Sequence, residues 1–260
     1  TPNDPSFGSL WGMNNVGQTG GTFDADIDAV EGWSDFTGTA KSVVAVIDTG
    51  IDYTHPDLAA NMWVNPGEIA GNGIDDDNNG WIDDVHGYDF TGSGDADIID
   101  DAGGHGSHVS GTIGATGDNA TGVAGVNWDV SLMGVKIFPL DSNTWIWTIT
   151  SAVDYVTDMR QSFGINITAI NASYRGLSST GGTPLEKDSV ERAIDAGVVF
   201  VAAAGNDDIN NDGGLRAYPA SYDLNGIIAV ANTTDDDLRR GDSNYGLTTV
   251  DLGAPQLAMH

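Results

Sequence analysis

His105, Asp48 and Asn206 are the residues whose types and settings could do chemistry. His105 sits in the run GGHGSHVSGTI, residues 103–113. Small residues at Gly106, Ser110 and Gly114, with Val109 and Ile113 four apart, predict a helix that starts beside the histidine and packs closely on neighbouring backbone. At the mouth of a helix, an imidazole with an ordinary pKa of about 6.5 can take up or release a proton near neutrality. It needs an orienting partner. The short, mostly apolar run 42–47 predicts a buried parallel strand ending in Asp48-Thr49-Gly50, which delivers a carboxylate at its carboxyl end. A second such run, 198–204, ends in Gly205-Asn206. A carboxylate, an imidazole and a carboxamide on the ends of α/β elements are the materials of acyl-transfer chemistry.

The strings VVAVIDTGIDYTHPDL, GGHGSHVSGTI and VAAAGN follow one another in this order. They resemble the blocks around the catalytic Asp, the catalytic His and the oxyanion-hole Asn of the subtilisin-like serine proteases. The opening TPNDPSF and the acidic stretch after residue 74 further resemble the thermitase branch. The resemblance covers residues 1 to about 255. It implies that Asp48 orients His105 and stabilises its charged form, and that Asn206 donates to the oxyanion of a tetrahedral intermediate. It further implies that Ser173, Tyr174, Arg175 and Gly176 belong to the strand that pairs with a peptide or ester substrate, and that the protein is secreted.

The chain departs from the family's pattern in two places. Arg175 stands where the family usually has Gly; a large cation there would obstruct extended peptides or favour acidic or small substrates. The family's nucleophile lies in a Gly-Thr-Ser-Met-Ala block after Ala-Pro-Gly. Here Asp251-Leu252-Gly253-Ala254-Pro255 matches the approach, Gln256-Leu257-Ala258-Met259-His260 follows, and no Gly-Thr-Ser occurs in the 260 residues. The domain is therefore read as truncated at its C-terminus, with core surface open to self-association and at most weak residual ester or peptide hydrolysis. The alternative is a non-enzymatic pseudoprotease that binds calcium and peptides. Ser107 and Ser110 on the His105 helix, Ser173 in the cleft strand and Ser243 in a turn are poor replacements for the nucleophile.

Asp and Glu number 38 against 9 Lys and Arg, for a net charge of −29. That balance opposes nucleic acid or an anionic membrane as partner and favours cations. Asp75, Asp77 and Asn79 alternate before Gly80, Trp81, Ile82 and Asp83, like the first part of an EF-hand loop whose hard oxygens suit Ca²⁺. The Glu expected at the twelfth position is His86, and Asp84 is the candidate replacement. The other reading is an Asx-rich turn cluster. A second calcium site comes from the resemblance alone: Asp4, Asp57, Gly117, Asn119, Thr121 and Val123, with Gly117, Thr121 and Val123 giving main-chain carbonyls.

The elements needed to position these groups form a single α/β domain, with a doubly wound, mainly parallel sheet and helices on both faces. Residues 1–39 read as an extended arm anchored by Trp11 and Trp33, and residues 61–101 as an irregular acidic insert. Strands are expected near 131–137, 165–171, 198–204, 227–231 and 248–252, and helices near 148–163 and 184–196. Pro184 suits the first turn of the latter helix and Gly197 its end. The chain has no Cys, which excludes disulfides and thiol chemistry. No apolar run reaches the roughly 18 residues of a membrane span, and no basic-then-apolar leader opens the sequence.

Overall fold

The structure is a computed structural model that describes residues 1–92, 104–139 and 144–255. Part of the acidic insert, residues 93–101, and the tail 256–260 lie outside the described residues. The strands are β1 (Gly38–Asp48), β2 (Gly87–Asp89), β3 (Asp129–Lys136), β4 (Ile167–Ala172), β5 (Gly176–Ser178), β6 (Val199–Ala203), β7 (Arg216–Tyr218), β8 (Ile227–Thr233) and β9 (Leu252–Pro255). The helices are α1 (Ala29–Gly32), α2 (His105–Gly114), α3 (Ile146–Gln161) and α4 (Pro184–Asp195). Seven strands form one sheet in the order β2-β3-β1-β4-β6-β8-β9, every pair parallel. β5 and β7 form a separate antiparallel pair.

β1 shows why this sheet needs layers on both sides. Val43, Ala45 and Ile47 join a core with α3 and α4, while Val46 turns the other way to meet Ile51, Leu58, Val130 and Leu132, with Val109 and Ile113 of α2 packed against them. Side chains alternate across a strand, so a strand apolar at every position must be covered twice. The doubly wound reading follows, with helices on both faces.

The register aligns the strand ends that matter. Asp48 pairs with Lys136, Ile47 with Ala172, and Ala172 in turn with Ala202. The segments leaving β1, β4 and β6 therefore emerge side by side at the carboxyl edge, where open α/β sheets place their sites.

The arm holds a small core of its own, with Phe7, Leu10, Met13 and Ala29 packed on Ala115, Val123 and Ala124. Trp11 is buried. Trp33 stacks between Phe7 and Trp128 and donates its ring N–H to the Val126 carbonyl. The last strand is a correction: it spans Leu252–Pro255, not 248–252. Thr248 and Thr249 are held instead by the Asp212 carboxylate, through both Oγ atoms and the Thr248 amide. Pairing with β8 starts only at Leu252, opposite Val230. Sequence patterning also missed β2, β5 and β7, each three residues long and too short to show a period.

Candidate active site

Asp48 is the last residue of β1 and is 1% exposed. Its Oδ1 lies 2.7 Å from His105 Nδ1 and also accepts the Thr49 amide at 2.7 Å. Its Oδ2 is buried without a hydrogen-bond partner among the described residues. The His105 side chain is 57% exposed, so a buried carboxylate orients an imidazole that is itself largely accessible.

The start of α2 is fixed to the β1 exit by short-range fit. The Gly106 amide donates to Thr49 Oγ1 at 3.0 Å, and the Asp52 amide donates to Ser107 Oγ at 2.8 Å. A Cβ at Gly106 would collide with the Gly50 carbonyl oxygen, and one at Gly114 with Val130 Cγ1 on β3. The glycine spacing thus sets how near the helix approaches the sheet, and that approach sets the Asp48–His105 distance.

A cleft of about 870 Å³ opens over this pair. Asp48, Thr49, His105, Lys136, Ser173, Tyr174, Arg175 and Gly176 are among its lining residues, as are Ile146 and Ile149 of α3 and Glu186 of α4. Two ion pairs, Lys136–Asp89 at 3.6 Å and Arg175–Asp207, border it beside the Asp48–His105 hydrogen bond. Arg175 meets Asp207 through two parallel bonds of 2.6 Å. That fork holds the Asp207 carboxyl below its usual 3.8.

Asn206 is exposed and is not among the lining residues, but its neighbours are fixed on both sides. Asn244, fully buried, accepts from the Asp207 amide, donates its own amide to the Gly205 carbonyl, and donates its side-chain N–H to the Ala204 carbonyl. Arg175 and Asp207 complete the brace. Of these, Asp207 and the bracing role of Asn244 escape the motif reading, since both act through partners distant in sequence.

The candidate serines are either buried or hydrogen-bonded elsewhere. Ser110 is fully buried in α2. Ser243, 1% exposed, accepts from the Asn232 amide, and Ser173 accepts from Asn171.

Two acidic assemblies lie away from the cleft. In the first, Asp4 accepts the amides of Asp118 and Asn119, while Asp57 accepts from the Asn119 side chain and the Val123 amide. The loop through Gly117 and Thr121 thus folds around two buried carboxylates. In the second, Glu68, Asp77 and Asp84 bring one carboxylate oxygen each within 4.8 Å of one another. Asp75 and Asp83 point elsewhere, to the amides of Asn79 and Gly80 and to those of Asn72 and Gly73. The Trp81 ring packs against Tyr88, Phe90 and Tyr155, and Asn79 donates to Asp77 and Asp84. Glu68, upstream of the loop, was not foreseen because the EF-hand pattern directs attention downstream. Burial pushes the Asp84 carboxyl up to about 6, against the pull of hydrogen bonds from Tyr155, Asn65 and Asn79.

The mainly parallel α/β sheet agrees with the fold of the solved structures that the chain resembles. The model of the Subtilase family, Peptidase S8, matches residues 39–258, and the chain belongs to that family. It is 30% identical over 260 residues to Thermitase of Thermoactinomyces vulgaris, covering 98% of this chain and 73% of that protein. It is 31% identical over 263 residues to Extracellular protease of Xanthomonas campestris pv. campestris, covering 98% of this chain and 42% of that protein. A 164-residue match to Subtilisin-like protease 1 of Plasmodium berghei, 38% identical, covers 63% of this chain and 26% of that one. The chain thus spans from about a quarter to under half of these last two relatives. Among solved structures, a protease from Pseudoalteromonas arctica PAMC 21717 superposes with a TM-score of 0.72 at 27% identity, covering 98% of this chain and 72% of that chain. A cold-adapted subtilisin-like serine proteinase gives 0.66 at 27% identity, covering 95% and 72%.

Proposed function

We propose that this chain carries the acid–base half of a secreted subtilisin-like serine hydrolase, and that the 260 residues by themselves hydrolyse activated esters slowly and peptides hardly at all. The observation that carries the reading is the 2.7 Å contact between buried Asp48 and the accessible His105, both lining the cleft. With Asp48 holding Nδ1, Nε2 is the nitrogen that takes a proton from an attacking hydroxyl or water, and the resulting imidazolium is stabilised by the carboxylate. Asn206 supplies a donor for the oxyanion. Without the Gly-Thr-Ser block, attack falls to water or to the imidazole itself, which suffices only for esters with good leaving groups.

Two calcium sites go with this reading. The hard oxygens of Glu68, Asp77 and Asp84 suit the ion, as do those of Asp4, Asp57 and Asn119 with the loop carbonyls of Gly117, Thr121 and Val123. The fit rests on Asp84: burial raises its pKa beside two further carboxylates, and a bound cation would favour its ionised form. Calcium here would hold loops together rather than take part in chemistry.

The test is hydrolysis of p-nitrophenyl acetate by the purified chain and its His105→Ala variant in calcium. Loss of at least about a hundredfold in the variant is expected, the lower end for a general base. Equal rates in both would reject the hydrolase reading and leave a calcium-stabilised, peptide-binding pseudoprotease. Leu247 and Leu252, 94% and 47% exposed, are apolar surface that self-association would cover; a monomer mass by light scattering at micromolar concentration would dismiss that.

A further inference from the structure

We propose that the cleft contains a subsite for the basic side chain of a peptide, built from Glu186 and the hydroxyl of Tyr174, with the Tyr222 hydroxyl holding the carboxylate in place from behind; the proposal rests on the reading of the cleft as a peptide-binding site. α4 buries Glu186, Ser189, Val190 and Ala193, the i, i+3, i+4, i+7 stripe of an amphipathic helix. Glu186 therefore occupies a position where an apolar residue would be the ordinary choice. It is 5% exposed and lines the cleft that holds His105.

Charge matching singles this carboxylate out. Around the cleft, Asp48 has His105, Lys136 has Asp89 and Arg175 has Asp207. Glu186 has no cation within ion-pair distance among the described residues. Its Oε2 accepts from the Tyr222 hydroxyl at 2.7 Å, and among those residues no donor reaches Oε1.

A second polar atom nearby is also unspent. Tyr174 is 6% exposed, and its hydroxyl is buried without a partner among the described residues. It interacts electrostatically with both Glu186 and Tyr222, and its ring meets Phe138 edge-on at 6.5 Å. Burial raises the Glu186 carboxyl above its usual 4.5, as expected where no positive charge compensates it.

A buried hydroxyl without a partner is costly unless something entering the cleft uses it, and Glu186 lines the same cleft with an oxygen to which no described residue donates. An ammonium or guanidinium group supplies several donors and a positive charge, and its alkyl stem suits walls that include Ile146, Ile149 and Phe138. Sites built to pair a polar group discriminate strongly against analogues lacking it. The subsite therefore prefers lysine or arginine to an apolar side chain of similar length.

The experiment uses short fluorescein-labelled alanine peptides with one lysine at successive positions, and a matching set with norleucine. Binding to the 260-residue chain is read by fluorescence anisotropy in calcium. At one position lysine is expected to bind about tenfold tighter than norleucine, a ratio set by one charged hydrogen bond. Glu186→Gln, which keeps the volume and the Tyr222 contact, should bring the two within about twofold, and Glu186→Leu should favour norleucine. Peptides that bind without lysine preference, or a preference surviving in both variants, overturn the subsite and leave the hydrolase reading intact. Absence of binding by every peptide overturns both.

Discussion

Arg175 shows how one side chain can look different in the sequence and in the fold. Read along the chain, it is a cation thrust into a cleft; in the structure its charge is committed to Asp207 through two 2.6 Å bonds. Preference for acidic substrates should therefore be weak in the wild type and emerge in Asp207→Asn, measured as tighter binding of a glutamate-containing peptide. The pair is partly exposed, so urea unfolding of that variant should show a loss below about 1 kcal/mol. Because the fork lowers the Asp207 pKa from 3.8, its contribution is complete above the usual carboxylate pKa. It is lost only as pH falls through the lower folded value. The Asp48–His105 pair, by contrast, was legible from residue types and spacing, since each stands where a strand or helix ends. Glu186 was not: nothing in its neighbours shows that an acidic residue lies on the buried stripe until the helix is docked.

Among the elements, α2 is set by glycines. Replacing Gly106 with Ala places a methyl group against the Gly50 carbonyl and must push the helix off the β1 exit. A loss of about 1–3 kcal/mol in stability is expected. Esterase activity should fall more than stability alone explains, because the displacement acts on the Asp48–His105 contact. α4 gives a pH signature instead. A carboxyl whose folded pKa is raised is best tolerated while protonated, so the wild type loses stability as pH rises from 4.5 through the folded value. Glu186→Gln escapes this loss. Its melting temperature should match the wild type below pH 4.5 and exceed it at pH 7; coincident melting curves across that range would show the group to be solvated. The long elements were readable because period and caps agree over many residues: Pro184 opens α4, and Gly197 follows it at φ 81°. β5 and β7 exist only through each other, which no local pattern encodes, and β9 starts late because Asp212 holds the two threonines before it.

For the molecule as a whole, a net charge of −29 makes bound cations worth more than the few contacts they touch. Saturating calcium should raise the melting temperature over that in excess EGTA. Binding at a hundred times its dissociation constant contributes about 2.7 kcal/mol per site. Identical melts in the two conditions would remove both proposed calcium sites. Disrupting one assembly at a time, with Asp84→Asn or Asp57→Asn, should each remove part of the difference.

The arm gives the fold an order in time. The Thr19 hydroxyl donates to the Asp235 carboxylate, the Thr22 hydroxyl to Asp236 and the Asn15 side chain to the Asp235 carbonyl, across 216, 214 and 220 residues of sequence. On a ribosome the arm emerges some two hundred residues before its fastening point is made. Until then Thr19 and Thr22 lack these partners, and contacts of such separation are slow to form. Through the synthesis of those two hundred residues the arm therefore stays open to proteases and chaperones, and it is sealed only once the loop at Asp235 has left the exit tunnel.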